Sequence, residues 1–222
     1  MTVYREALSL ARRVRALPST LGPAAAFAFA RAEPLIAPNQ KESEIVWLLE
    51  MLGSAPPEVV LEIGTDRGGT LFLWTRVAAP DAVLLTLDIK RMIGRLGPFS
   101  PFALVRRSFE RDGQRVELID DVDSQDAETL ERVLALLDGR AVDFLFVDGN
   151  HRYEAVRRDF ELYEPLVRPG GLIAFHDVSP RTTPDTEGTA AFWAELKEIG
   201  STDEMIAAGA AGYGMGVYFK PR

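Results

Sequence analysis

The sequence contains no cysteine and only two histidines in 222 residues. The absence of cysteine excludes disulfides, thiolate metal sites and a cysteine nucleophile. A chain without cysteine is compatible with a reducing compartment, so we expect a cytoplasmic protein.

The chain also lacks an excess of positive charge and a long apolar run. Its formal net charge is -8 and its sequence pI is about 4.9, which disfavours binding to nucleic acids and to anionic membrane surfaces. No apolar run reaches the roughly 18 residues that a membrane-spanning helix needs. Residues 11–32 superficially resemble a secretory signal, but Gly22 and Pro23 interrupt them, and we expect amphipathic N-terminal helices instead.

Short apolar runs alternate along the chain with amphipathic segments. Five runs have the length and composition of buried strands, and they cover residues 58–64, 82–89, 115–119, 142–147 and 170–177. Two further strand-like runs close the chain at residues 204–209 and 216–220. This alternation indicates a doubly wound α/β fold with a mostly parallel sheet covered on both faces.

The pattern also divides the chain into two parts. Residues 1–38 are predicted to form N-terminal helices that act as a lid or an oligomer contact, and residues 39–222 are predicted to form the main domain. The helix that opens the main domain has Asn39 as a plausible cap and Gly53 as its stop signal.

Polar residues are concentrated where the predicted strands end, which is where open parallel sheets bind ligands. These residues are Glu62, Gly64, Asp88, Asp120, Asp121, Asp123, Asp148, Asp177 and both histidines, His151 and His176. One edge of the sheet is therefore the predicted ligand site.

The first strand ends in a glycine loop, LEIGTDRGGT, at residues 61–70. Its glycines permit a tight turn and let a ligand approach the N–H groups of the next helix. The loop lacks the G-x-G-x-x-G spacing of a dinucleotide fingerprint, and an ordinary strand-to-helix turn has similar composition. Asp88 follows Gly64 at a distance where a second-strand acid can bind a ribose diol, and a capping or solvated aspartate is the alternative.

Asp148 and Asp177 end consecutive predicted strands. If these strands are adjacent, they lie about 4.8 Å apart, and the carboxylates can share a divalent cation such as Mg²⁺. Two independent acids are the alternative. His151 can act as a general base near neutral pH, although most loop histidines are inert, and His176 is predicted to pack and line the site.

Five segments together resemble class I S-adenosylmethionine-dependent methyltransferases: LEIGTDRGGT, LTLDI, DSQDAETLERV, FLFVDGNHRYEAVRRDFELYEPLVRPGG and LIAFHD. The branch that the chain is most similar to contains cephalosporin-hydroxylase-like proteins and macrolide sugar O-methyltransferases. The resemblance covers residues 40–220 and is most specific from Phe144 to Asp177. It implies a Rossmann-like sheet of seven strands with an antiparallel last strand.

The resemblance implies S-adenosylmethionine as the cofactor and gives a role to several residues. Those around the methionine half would be Glu62, Gly64, Thr65 and Gly68. Asp88 would hold the ribose hydroxyls, and the residues beside adenine would be Asp123 and Ser124. The acidic run DDVDSQD leaves open which of Asp120, Asp121 and Asp123 contacts adenine.

The resemblance also implies the catalytic residues. Asp148 and Asp177 match two acids that hold Mg²⁺ in metal-dependent members, and His151 falls where catechol-type enzymes carry a lysine base. Asp148 and His151 would thus be catalytic. Val178 stands where catechol-type enzymes commonly provide a third oxygen ligand, and Asn150 could supply that oxygen or cap a helix.

These observations predict an O-methyltransferase that acts on a hydroxyl of a small molecule, such as a sugar or a phenol, with Mg²⁺ assistance left open. A cleft rimmed by acids favours a sulfonium cation over an anionic dinucleotide. An NAD-dependent oxidoreductase and a non-catalytic cofactor-binding protein are the alternatives. Loop 178–188 and the pair Phe192 and Trp193 are predicted as a lid and an acceptor wall, or as a surface loop and a core helix. Acceptor identity and a homodimer are left open.

Overall fold

The computed structural model describes residues 2–89, 100–111, 113–209 and 211–222. The strands in these residues are Val59–Ile63 (β1), Val83–Asp88 (β2), Arg115–Asp120 (β3), Val142–Val147 (β4), Val167–His176 (β5), Ser201–Met205 (β6) and Met215–Phe219 (β7). The α-helices are Thr2–Arg15 (α1), Pro23–Ala32 (α2), Glu42–Ser54 (α3), Gly69–Val77 (α4), Pro101–Arg106 (α5), Ala127–Leu137 (α6), Tyr153–Tyr163 (α7) and Glu187–Ile199 (α8). A short 3-10 helix, Glu164–Leu166, follows α7.

The seven strands form one sheet in the order β3-β2-β1-β4-β5-β7-β6. The pairs among β1 to β5 are parallel, and β7 runs antiparallel to both β5 and β6. This confirms the predicted doubly wound, mostly parallel sheet with an antiparallel last strand. The strand order reverses between β1 and β4, which is the position where such sheets open a ligand-binding crevice.

Side chains of the central strands pack on both faces of the sheet, because successive residues of a strand point to opposite sides. Phe144 and Phe146 of β4 belong to a hydrophobic cluster on one face. Leu145 and Val147 belong to the cluster on the other face. Burial on both faces explains why the strands read as continuous apolar runs.

The N-terminal helices contribute buried residues to one of these clusters. Leu10 and Val14 of α1 and Phe27 of α2 pack in the same cluster as Phe144. Helix α3 begins at Glu42, three residues after the predicted cap Asn39, and no side chain caps its N terminus. Among the described helices, none is long and apolar enough to cross a membrane.

Phe192 and Trp193 lie in the hydrophobic core on the face opposite the N-terminal helices. The Trp193 indole Nε1 donates a hydrogen bond of 2.6 Å to Glu204 Oε2. The core-helix interpretation of this pair is therefore the one that fits the structure.

Candidate active site

A cleft of about 790 Å³ opens at the carboxyl ends of strands β1 to β5. The segments at these ends that line it are 63–67, 87–89, 120–125, 148–152 and 176–177, and two remote segments, 37–40 and 212–213, also contribute to the wall. The predicted site residues that line the cleft are Gly64, Thr65, Asp88, Asp123, Ser124, Asp148, His151 and Asp177. Two predicted cofactor residues, Glu62 and Gly68, are not among the lining residues.

Gly64 lies where the exits of β1 and β4 touch. It has a φ of +90°, and a Cβ added there would lie 2.1 Å from the carbonyl oxygen of Asp148. Gly68, with a φ of +89°, is the residue before α4, and a Cβ there would lie 2.7 Å from Arg106 Cγ. Both positions require glycine for backbone conformation and close packing, and only Gly64 faces the cleft.

Glu62 is fully buried behind the glycine loop. One of its carboxylate oxygens accepts a hydrogen bond of 2.7 Å from Trp74 Nε1, and the other accepts one of 3.0 Å from Thr86 Oγ1. Burial raises the pKa of Glu62 to about 7 against the opposing effect of these hydrogen bonds. The carboxylate is therefore committed to contacts inside the fold.

Asp88 lies at the end of β2, on the wall of the cleft. Its Oδ2 accepts a hydrogen bond of 3.1 Å from the Thr65 backbone N–H, which ties the glycine loop to β2. Burial raises the pKa of Asp88 to about 6. Ligand hydroxyls that donate to this carboxylate would favour its ionised form.

The segment 120–125 forms a neighbouring part of the wall. Asp120 is paired with Arg106 of α5 through hydrogen bonds of 2.8 and 2.7 Å. Ser124 Oγ donates a hydrogen bond of 2.7 Å to Asp159 Oδ1 on α7. Asp123 Oδ1 accepts one of 3.0 Å from Gln125 N within the segment. Partners on two helices thus hold the wall that is predicted to border adenine.

Two carboxylates and two imidazoles meet at the exits of β4 and β5. His151 Nε2 lies 3.5 Å from Asp148 Oδ1, and His151 Nδ1 lies 3.4 Å from Asp177 Oδ2. His176 Nδ1 lies 3.3 Å from an oxygen of each acid, Asp148 Oδ1 and Asp177 Oδ1. The register pairs Val147 with Phe175, so the two exits are adjacent, as a shared site requires.

The electrostatic coupling within this cluster is strong. Burial opposes charge on Asp148, but the two histidines outweigh it and lower the pKa of Asp148 to about 2. Burial likewise opposes a charge on His176, but the two acids raise the pKa of His176 to about 10. The hydrogen bond to Asp148 raises the pKa of His151 above its ordinary value. These shifts favour an ionised Asp148 beside a protonated His176.

Asp148, His151 and Asp177 can each place one ligand atom within 4.8 Å of the others. This set fits a divalent cation, and its imidazole suits Fe²⁺ or Zn²⁺ better than Mg²⁺, which prefers oxygen ligands. Val178 is buried and offers no side-chain oxygen. Asn150 Oδ1 accepts a hydrogen bond of 3.1 Å from Arg152 N, which closes a turn before α7, and no side chain caps that helix.

Three features of the site escaped the sequence interpretation. Gln40 Nε2 donates a hydrogen bond of 2.8 Å to Asp148 Oδ2. The Tyr213 ring lies 6.0 Å from the His176 ring and 4.0 Å from Lys41 Nζ. Residues 178–188, the predicted lid, are all described by the structure, and none of them lines the cleft. The glycines flanking Tyr213 were a usable signal for a close approach, whereas a glutamine before a helix carries no such signal.

A family model described as a methyltransferase domain matches residues 61–178. The match covers more than half of the 222 residues and extends from β1 to the residue after Asp177. The chain belongs to this methyltransferase family. The match includes the glycine loop, Asp88 and the whole Asp148 cluster, and it excludes the N-terminal segment that carries Gln40.

This methyltransferase is also similar to two uncharacterised curated proteins. One, from Sinorhizobium fredii, is 28% identical over 156 residues, which cover 69% of this chain and 16% of that protein. The other, from Acanthamoeba polyphaga mimivirus, is 30% identical over 128 residues, which cover 53% of this chain and 50% of that protein. The chain thus matches half or less of the length of these relatives.

Two solved structures share the fold of this methyltransferase. The O-methyltransferase TomG from Streptomyces achromogenes, involved in tomaymycin synthesis and in complex with SAM, has a TM-score of 0.59 and 19% identity over 93% of this chain and 91% of that chain. An O-methyltransferase from Bacillus cereus in complex with SAH has a TM-score of 0.58 and 15% identity over 99% of this chain and 91% of that chain. At these sequence identities, the similarity shows a shared fold.

Proposed function

We propose that this methyltransferase uses S-adenosylmethionine to methylate a hydroxyl of a small molecule, of the sugar or phenol class. The observation that carries the proposal is that one cleft contains both Asp88, the predicted partner of a ribose diol, and the pair of Asp148 and His151, the predicted proton acceptors. The two solved neighbours support the reaction type, because both are O-methyltransferases in complex with SAM or SAH.

The volume of the cleft and its excess of acids over arginines support this cofactor. Its volume of about 790 Å³ lies within the range of small-molecule sites, about 300–1,000 Å³. The acids in its lining are Asp66, Asp88, Asp120, Asp121, Asp123, Asp148 and Asp177. They favour a sulfonium cation, whereas the pyrophosphate of a dinucleotide would be repelled. When bound, the cofactor supplies an electrophilic methyl group.

His151 is the group that would take the hydroxyl proton. It lines the cleft with one third of its side chain exposed, and each ring nitrogen faces a carboxylate. The carboxylates orient the ring and stabilise the imidazolium that forms after proton transfer. A hydroxyl that takes the place of one carboxylate at a ring nitrogen of His151, in line with the methyl group, would gain nucleophilicity as its proton passes to that nitrogen.

A divalent cation in the same cluster would change the role of His151. Asp148, His151 and Asp177 would then hold the cation, which lowers the pKa of a bound hydroxyl, and His151 would be a ligand instead of a base. Turnover after dialysis against EDTA, with and without added Mn²⁺ or Mg²⁺, distinguishes the two arrangements. Full activity in EDTA assigns the proton to His151.

Calorimetric titration with S-adenosylhomocysteine tests the cofactor. We expect binding by the wild-type chain and weaker binding by Asp88→Ala, by roughly 10-fold or more, because hydrogen bonds to a charged group contribute about 1.5–3 kcal/mol. Asp185→Ala, at an exposed acid outside the cleft lining, is the matched control. Binding of NADH without S-adenosylhomocysteine would favour an oxidoreductase. Cofactor binding without turnover of any hydroxylated acceptor would favour a non-catalytic protein.

A further inference from the structure

Gln40 contacts Asp148, one of the two carboxylates that meet the two imidazoles, from outside the matched methyltransferase domain. It is 6% exposed, it lines the cleft, and its Nε2 donates a hydrogen bond of 2.8 Å to Asp148 Oδ2. Its Oε1 is buried and has no hydrogen-bond partner among the described residues. A polar side chain this buried, with only half of its amide satisfied, costs stability and therefore needs an explanation.

The direction of the Gln40 amide follows from the charge of Asp148. An ionised carboxylate only accepts hydrogen bonds, whereas an amide donates through nitrogen and accepts through oxygen. Turning the amide by 180° would place Oε1 against Asp148 Oδ2, with two acceptors facing each other. The donating orientation is thus the one that an ionised Asp148 selects.

Gln40 and the histidines use different oxygens of Asp148. Gln40 donates a hydrogen bond to Asp148 Oδ2. Asp148 Oδ1 lies 3.5 Å from His151 Nε2 and 3.3 Å from His176 Nδ1. The terminal torsion of aspartate is broad and roughly two-fold. Without the Gln40 contact, the carboxylate could rotate and lose its fixed alignment with both imidazoles.

The segment that carries Gln40 is itself fixed to the fold. A Cβ added at Gly69 would lie 2.4 Å from Ile36 O and 2.9 Å from Pro38 N, so the segment passes directly over the start of α4. Four residues after Gln40, buried Glu44 accepts hydrogen bonds of 2.8 Å from Ala207 N and 3.1 Å from Gly214 N. These contacts hold the backbone of Gln40 in place on both sides.

We propose that Gln40 is a positioning residue of the methyltransferase, which holds Asp148 in the orientation that presents Oδ1 to His151 and His176. Its effect on turnover rests on the proposed function, whereas its effect on the histidines does not. Partners that orient a catalytic or metal-binding group are typically worth about 10–100-fold in activity or metal affinity.

The first test reads the histidines directly and needs no acceptor. The chain has only two histidines, so ¹H–¹⁵N imidazole spectra contain two sets of signals, which His151→Gln assigns. Gln40→Met keeps the length of the side chain and removes its hydrogen bonds, and we expect it to shift the ring nitrogen signals of both histidines. The control Glu42→Gln, at an exposed position of the same segment, should leave them unchanged. Unchanged spectra in a folded Gln40→Met variant would overturn the proposal.

The second test uses turnover with catechol, 3,4-dihydroxybenzoate and methyl glucoside as acceptors. Gln40→Met should lower kcat by about 10–100-fold without changing the affinity for S-adenosylhomocysteine. The kcat of Gln40→Glu relative to that of the wild type at the same pH should rise as the pH falls, because a protonated glutamic acid can donate to Asp148 while two ionised carboxylates repel each other. Equal, pH-independent losses in both variants would contradict a positioning role.

The two tests separate the failure of each proposal. A wild-type chain that does not bind S-adenosylhomocysteine refutes the proposed function, and the imidazole spectra still decide the role of Gln40. A wild-type chain that binds and turns over, with spectra and kcat unaffected by Gln40→Met, refutes only the role of Gln40.

Discussion

At the scale of single residues, two carboxylates near the exits of β1 and β4 have pKa values that are shifted in opposite directions. Asp148 is held ionised by histidines, with its pKa lowered to about 2. Glu62, which is fully buried and accepts hydrogen bonds from Trp74 and Thr86, has its pKa raised to about 7 by burial. The difference arises because only Asp148 has cationic neighbours that offset the cost of burying its charge.

Glu62 gives a testable dependence of stability on pH. The unfolded chain releases the Glu62 proton near pH 4.5, whereas the folded chain holds it to about pH 7. Ionisation therefore favours the unfolded state as the pH rises through this window, and this contribution to stability is lost by its upper end. Glu62→Gln keeps an oxygen for Trp74 and an amide for Thr86, and should lose less stability across the window than the wild type. Urea denaturation on both sides of the window measures this, and equal pH dependence in both proteins would contradict it.

His151 gives a testable dependence of rate on pH. A general base must be neutral to accept a proton, and the hydrogen bond to Asp148 raises the pKa of His151 above 6.5. We therefore expect kcat to rise with pH, with its inflection above 6.5, and His151→Ala to abolish turnover while S-adenosylhomocysteine still binds. An inflection below this value, or a fully active His151→Ala variant, would contradict the role of His151 as the base.

At the scale of elements, helix α7 supports the cleft wall through hydrogen bonds to Ser124 in segment 120–125. Asp159, which is buried, accepts the hydrogen bond from Ser124 Oγ. One turn later, the Tyr163 hydroxyl donates a hydrogen bond of 2.6 Å to the Ser124 carbonyl oxygen. The residues lie four apart and so share one face of the helix, and this face determines where the segment lies.

Tyr163→Phe tests whether this support matters for the cofactor. The substitution removes one hydroxyl and leaves the Ser124 carbonyl without its partner. A typical hydrogen bond contributes about 0.5–1.5 kcal/mol, so we expect S-adenosylhomocysteine to bind roughly 2- to 10-fold more weakly. Tyr153→Phe is the matched control on the same helix, because the Tyr153 hydroxyl contacts exposed Glu195. Equal affinities of the two variants would refute the support.

At the scale of the whole molecule, Glu44 joins the two ends of the chain. It is fully buried in α3, and its two carboxylate oxygens accept from the backbone of residues 163 and 170 positions later, Ala207 and Gly214. The loop between β6 and β7, which brings Tyr213 to the cleft, is thereby tied to the segment that carries Gln40. The N-terminal helices also pack into the core, and their predicted roles as a lid or a dimer contact stay predictions.

Glu44→Ala should destabilise the whole fold because it leaves two backbone N–H groups without partners. Hydrogen bonds to charged groups contribute about 1.5–3 kcal/mol each, and we expect a loss of at least that size in the free energy of unfolding. Glu44→Gln, which keeps one acceptor oxygen, should lose less. Urea denaturation measures both, with Glu42→Gln as the exposed control. A Glu44→Ala variant as stable as the control would refute the connection.

The sequence by itself determined the alternation of strands and helices, the glycine at the first strand exit and the row of acids along one edge of the sheet. These features depend on local periodicity and on the rule that parallel strands end on the same side. Only the tertiary structure decided that Glu62 points into the core and that Gln40 and Tyr213 complete the site. Gln40 and Asp148 are 108 positions apart, and no local pattern of residues constrains a contact over such a distance. Packing of the N-terminal segment across the strand ends brings them together.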